Sequence, residues 1–130
     1  MLPFSRLDEL RSARPLIHCI ANLVSANDCA NELLAAGASP MMAQPPEEME
    51  EITAASAATV LNTGTPDAAR FAVCRLCGRL AAERRQPVVL DPVGVGASAW
   101  RPRETERLLE TVAPAVLPVN FGEGPALLHR

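Results

Sequence analysis

Short apolar runs alternate with amphipathic stretches along the chain. Residues 16–20, 59–61, 88–90 and 115–119 are apolar runs of three to five residues, each predicting a buried strand. Residues 38–43, ASPMMA, add another short strand or extended turn. Between these runs the apolar positions recur at helical spacing. Residues 5–14 predict a short helix with Ser5 as N-cap, and residues 25–36 a second that stops at Gly37. Pro45 and Pro46 open an acidic helix, EEMEEITAAS, with Met49 and Ile52 on one face. Residues 66–85 form the longest helical pattern, placing Phe71, Cys74, Leu76 and Leu80 broadly together, and residues 103–111 predict a last helix. Strands and helices in strict alternation imply an α/β fold, a parallel sheet with helices on both faces.

The polar residues that follow the apolar runs then gain meaning, because an open parallel sheet binds ligands outside its carboxyl edge. Asn22, Asn62 with Thr63 and Thr65, Asp91, and Asn120 with Glu123 all fall at such ends. The stretches VVLDPVGVGAS (88–98) and VNFGE (119–123) each end an apolar run in a turn bearing a carboxylate. Two carboxylates beside a Gly-rich turn suit Mg²⁺ held with a nucleotide phosphate. Each residue also has a plain structural reading. Asn, Asp, Thr and Gly make turns, Asp91 precedes Pro92, and Glu123 suits the first turn of a helix. His18 sits in an apolar run and reads as a hydrogen-bonded core histidine, and the acidic stretch 47–51 as a solvated helix face.

Composition narrows the chemistry. With 130 residues, 48% hydrophobic, the chain is at most one globular domain. A net charge of −3 and only 3% aromatic residues argue against a nucleic-acid partner. All 12 basic residues are arginines, so a P-loop and Schiff-base chemistry are excluded for want of lysine. The N-terminus is charged with no apolar signal segment, and no window is long enough to span a bilayer, which predicts a cytoplasmic chain with reduced cysteines. Cys74 and Cys77 form a C-x-x-C pair inside a predicted helix; without a second pair they read as small core residues rather than a redox or zinc site.

The segment HCIANLVSANDCANELLAAGASPMMA (18–43), with LNTGT, VLDPVGVGAS and NFGE, resembles the hydroxyethylthiazole kinase family. The likeness runs from about Pro15 to Leu128, with the motifs in the family's order. It implies a ribokinase-like fold, of which residues 1–130 would be the N-terminal part of a single kinase domain. It also implies transfer of a phosphoryl group from ATP, with Mg²⁺, to the alcohol of 4-methyl-5-(2-hydroxyethyl)thiazole in thiamine biosynthesis or salvage, in a trimer with sites at subunit interfaces. Carried over by position, Met42 and Asn22 would contact the thiazole, Asp91 and Glu123 would lie near the metal and phosphates, and Asn120 would begin the N-x-x-E motif at the nucleotide.

The chain departs from that pattern at two residues and over its extent. Ala21 stands where the family usually has Thr, and Pro118 where it commonly places an ATP-contacting arginine. The resemblance further implies a second half that completes the nucleotide pocket and the phosphoryl-stabilising turn. These 130 residues alone are therefore expected to be severely impaired, with an unpaired sheet edge. Two alternatives stand beside this reading. One is another ribokinase-like small-molecule kinase, such as one acting on a hydroxymethylpyrimidine, although HCIANLV and SPMMA speak against it. The other is a truncated, non-catalytic chain that serves as a binding or assembly subunit.

Overall fold

The computed structural model describes residues 4–128; residues 1–3 of the charged N-terminus, and 129–130 with the chain end at Arg130, lie outside the described residues. Strands β1 (Leu16–Ile20), β2 (Ser39–Met41), β3 (Ala58–Asn62) and β4 (Val88–Asp91) form one sheet in the order β2-β1-β3-β4. Every pairing is parallel. The helices are α1 (Phe4–Ala13), α2 (Ala26–Ala36), α3 (Met49–Ala55), α4 (Ala68–Glu83), α5 (Trp100–Leu109) and α6 (Glu123–Leu128). The expected α/β architecture with a parallel sheet is therefore present.

Register assigns each strand residue a side. His18, Thr59 and Val88 lie abreast, as do Ile20, Leu61 and Leu90, and all six are buried. Against them pack Met49 of α3, Cys74, Cys77, Leu80 and Ala81 of α4, Leu108 of α5 and Val112, giving one continuous apolar cluster. Full burial of a Leu- or Ile-sized side chain is worth roughly 1.5–3 kcal/mol, so this side carries most of the fold's stability. Gly78 lets α4 approach it closely, since a Cβ there would fall 1.9 Å from Cγ2 of Val112. The opposite side presents Cys19 buried, Ile17, Val60 and Val89 half-buried, and Val116 54% exposed. Helix α2 packs on β2 and α1 packs on α2, and neither contributes a buried residue.

Several boundaries moved, for local reasons. Ser5 lies inside α1 and not at its cap. α2 does end at Gly37, whose φ of 105° puts it in the left-handed region while its N–H reaches the carbonyls of Leu33 and Leu34. Only a single 3-10 turn, Pro46–Glu48, precedes α3, so the acidic helix is shorter than its pattern. α5 begins three residues before the expected Arg103, at Trp100. Its indole packs edge-on against Phe71 at 5.4 Å, and Pro102 is tolerated because first-turn N–H groups need no helical partner.

The expected fifth strand is the main correction. Residues 115–119 contribute one parallel bridge, Val116 beside Val89. Val116 donates to Val88 and accepts from Leu90, at 3.4 and 3.0 Å. The next rung would need an N–H from residue 118 to Leu90 and one from residue 92 to residue 118. Both positions are proline, so neither bond can form. The apolar pattern signalled a strand, and the missing donors end it after one rung.

Candidate functional site

β1 has β2 on one side and β3 on the other, so the chain reverses its winding direction at the β1–β3 crevice, where this topology places ligands. The carboxyl ends of β1, β3 and β4 are joined there by a chain of side-chain amides and a carboxylate. Asn22 Nδ2 donates to Asn62 Oδ1 at 3.0 Å, and Asn62 Nδ2 donates to Asp91 Oδ2 at 2.8 Å. Asn62 Oδ1 also accepts the Gly64 N–H at 2.9 Å, so its amide can face in only one direction. Asn22 Oδ1 accepts the N–H groups of Val24 and Ser25, both at 3.0 Å, and thereby organises the turn into α2.

The NTGT turn after β3 uses each of its residues. Asn62 carries the relay. Thr63 donates its N–H and hydroxyl to the Asp91 carbonyl at 3.0 and 3.3 Å, extending β3–β4 pairing past the strand ends. Gly64 permits close approach, because a Cβ there would lie 2.8 Å from Cβ of Asn22. Thr65 holds a left-handed φ of 43°, rare for a β-branched residue, while its hydroxyl accepts the Leu23 N–H at 3.1 Å. Strain of this kind persists only where the surroundings fix it.

The second carboxylate arrives from the C-terminal segment. Glu123 Oε1 accepts the Gly94 N–H at 3.0 Å, which ties α6 to the turn after β4. Its Oε2 accepts the N–H of Asn120 at 3.1 Å, and Asn120 Oδ1 in turn accepts the N–H groups of Gly122 and Glu123, both at 2.9 Å. This reciprocal pattern is a capping box at the start of α6. Burial, and next the neighbouring Glu123, push the Asp91 carboxyl above its ordinary 3.8, while the Asn62 amide pulls it back.

Met42 lies just past β2, half-buried and outside this relay. His18 positions its neighbour: the buried ring meets the Ala43 carbonyl through Nε2 at 2.8 Å, while Nδ1 has no partner among the described residues. His18 is thus the core histidine expected. Burial holds its pKa below the ordinary 6.5. Cys74 and Cys77 are likewise core residues, both free thiols pushed up to about 12 by burial, which is no environment for a thiolate nucleophile.

The four expected polar residues thus converge: Asn22 and Asp91 through Asn62, and Asn120 and Glu123 through the Gly94 turn. Two contributors were missed in the sequence. Asn62 was one of several polar strand ends, with nothing to mark it as the link. Arg101 fell between the Gly-rich motif and the predicted helix and was assigned no role, yet its Nη1 donates to the Val93 carbonyl at 3.2 Å, over the same Gly-rich turn. The residues also bear on a metal. Among those described, no three His, Cys, Asp or Glu side chains group as a protein cage. Two carboxylates, that of Asp91 with no partner on Oδ1 among the described residues, instead fit Mg²⁺, which takes one or two carboxylates together with waters and substrate phosphates. No helix among the described residues is long and apolar enough to cross a membrane.

Known proteins resemble the chain closely. The sequence model of the Hydroxyethylthiazole kinase family matches residues 7–129. A hydroxyethylthiazole kinase of Herpetosiphon aurantiacus is 48% identical over 121 residues, covering 93% of this chain and 44% of that protein. One from Nitratidesulfovibrio vulgaris is 50% identical over 118 residues, covering 91% and 44%. The solved structure of hydroxyethylthiazole kinase from Pyrococcus horikoshii OT3 superposes with a TM-score of 0.92 at 43% identity, over 96% of this chain and 49% of that one. The chain spans less than half the length of these relatives.

Proposed function

The chain belongs to the hydroxyethylthiazole kinase family, and from this we propose that its strand-edge site serves ATP-dependent phosphorylation of the hydroxyethylthiazole alcohol. The observation that carries the reading is the convergence of Asp91 and Glu123 on one Gly-rich turn, with Asn22 linked to Asp91 through Asn62. Residues 1–130 act as the N-terminal part of a single ribokinase-like kinase domain. The reaction belongs to thiamine biosynthesis or salvage, in the cytoplasm, and the assembly is a trimer.

In this reading Asp91 and Glu123 hold Mg²⁺ with ATP. The ion, when bound, offsets charge on the phosphate oxygens as the phosphoryl group transfers. Asp91 suits the part because its carboxylate is fixed by Asn62, so little reorganisation is needed when cation and nucleotide arrive. Asn120 sets Glu123 through the capping box and lies at the nucleotide side. Asn22 presents a fixed amide to the thiazole, and Met42 offers a flexible thioether to the ring. Phosphoryl transfer rests mainly on such positioning.

One observation favours a second reading. Both oxygens of Glu123 are already bonded to main-chain N–H groups, as in a structural tie. The site then binds Mg·ATP and the alcohol without turnover, in a binding or assembly role. A single assay separates the readings: purified chain, ATP, Mg²⁺ and hydroxyethylthiazole, with product measured by mass and binding by calorimetry. Mg²⁺-dependent product that falls about 100-fold or more in Asp91→Ala bears out the kinase reading. Binding without product bears out the second. Product from a hydroxymethylpyrimidine in place of the thiazole would move the chain to another ribokinase-like kinase.

A further inference from the structure

We infer that Arg101 is the cation that contacts the nucleotide's phosphates, an inference that rests on the strand-edge site being a nucleotide site. Its side chain lies across the turn that follows Asp91. Nη1 donates to the Val93 carbonyl at 3.2 Å, and a Cβ added to Gly94 would fall 3.0 Å from that nitrogen. The N–H of the same Gly94 holds Glu123 at 3.0 Å. Guanidinium and carboxylate therefore address one residue of one turn, yet they form no ion pair within 4.0 Å among the described residues.

Local structure does not account for a cation there. Arg101 stands in the first turn of α5, where the helix dipole disfavours positive charge, and that turn contains no acid to offset it. By contrast Arg75 and Arg107 both pair with the buried Glu104, at 3.0 and 2.6 Å. Arg101 is half-buried with a neutral carbonyl as its side-chain partner, which leaves most of its five donors for another acceptor. An anion carrying several oxygens would use those donors and answer both the dipole and the unpaired charge. Gly94 matters equally: any side chain there would meet the guanidinium, and its φ of 61° lies in the left-handed region.

The test is a titration of the chain and its Arg101→Gln and Arg101→Lys variants with adenosine, ADP and ATP, with Mg²⁺ present. Trp100, the neighbouring residue and the chain's single tryptophan, supplies a fluorescence signal, and calorimetry supplies a second. For Arg101→Gln, ATP affinity is expected to fall about 10- to 100-fold while adenosine affinity stays within about twofold, with Arg101→Lys in between. A purely structural Arg101 would weaken all three ligands alike, and that result overturns the inference, as does unchanged ATP affinity in Arg101→Gln. Failure of the unaltered chain to bind any of the three would instead remove the nucleotide reading of the site, and this inference with it. Matching melting temperatures for the variants show that the fold is retained.

Discussion

The two carboxylates of the site are held in unlike ways. Asp91 ends β4, a strand with a full parallel ladder to β3 and a buried side resting on α3, α4 and α5. Glu123 opens α6, whose segment reaches the sheet through the bridge at Val116 and an Ala115 N–H on the Val88 carbonyl, and which otherwise rests on the 94–97 turn with one hydrogen bond from Gly94. Around it Val116, Leu117, Val119, Phe121 and Leu128 are exposed, Phe121 fully so. Half of the site is thus built into the core, and half is attached to its rim. Segments with few buried contacts open at low free-energy cost, so the Glu123 side is expected to be the mobile partner.

The sharpest way to break that contrast is to remove one side chain from each region. Leu61→Ala, in the centre of the buried side, is expected to cost about 3 kcal/mol, because a fully buried leucine leaves both lost transfer energy and a cavity. Phe121→Ala should change stability by no more than about 0.5 kcal/mol, since an exposed side chain loses no packing. Thermal denaturation measures both. A comparable loss in Phe121→Ala would mean that the rim is packed as firmly as the core.

Acid probes the buried side by a different route. His18 is held below its ordinary 6.5 mainly by burial, so the native state favours the neutral ring. Its contribution to stability is then complete above 6.5 and is lost as pH falls below that value, because the unfolded chain takes up the proton first. Protonation would also turn the unpartnered Nδ1 into a buried donor without an acceptor. Stability should fall as pH drops from 7 to 5.5, and the His18→Gln variant should lose most of that slope. An equal slope in the variant would assign the acid sensitivity elsewhere.

The same contrast explains what could be read in the sequence. Strands β1, β3 and β4 were legible because their runs are mostly apolar and one side of each is largely buried. Asn22, Asp91, Asn120 and Glu123 were legible because polar residues after such runs collect at the carboxyl edge. The fifth strand misled because hydropathy does not record hydrogen-bond donors, and the two prolines that stop the ladder lie 26 positions apart in sequence (118 against 92). Asn62 and Arg101 were not singled out because their importance is a matter of distance: one to Asp91, the other to Gly94. The resemblance to relatives carried the substrate; the residues alone supported only a cation with a phosphate.

At the turn itself, function and stability oppose each other. Burial and Glu123 raise the Asp91 pKa, so its ionised form costs the folded state free energy at neutral pH. That cost is present above the ordinary 3.8 and is relieved as pH falls and the native carboxyl takes up a proton first. Asp91→Asn keeps an acceptor for Asn62 and removes the charge. It should raise stability slightly, read as a small rise in melting temperature, while weakening Mg²⁺-dependent ATP binding. A fall in melting temperature would show that the carboxylate supports the fold.

The smallest effect tests the rim directly. Pro118→Val restores an N–H opposite the Leu90 carbonyl, so the ladder gains its second rung on that side, while Pro92 still withholds the return bond. One added hydrogen bond contributes roughly 0.5–1.5 kcal/mol, and loss of proline's constraint on the unfolded chain removes about 0.4–1 kcal/mol. The net change in stability should therefore be close to zero. Hydrogen exchange at residue 118 is the better observable: the new amide should be protected to about the level of Val116. If it exchanges as an open coil does, pairing is limited by the strand's poor packing against the half-covered side of the sheet and not by the missing donor.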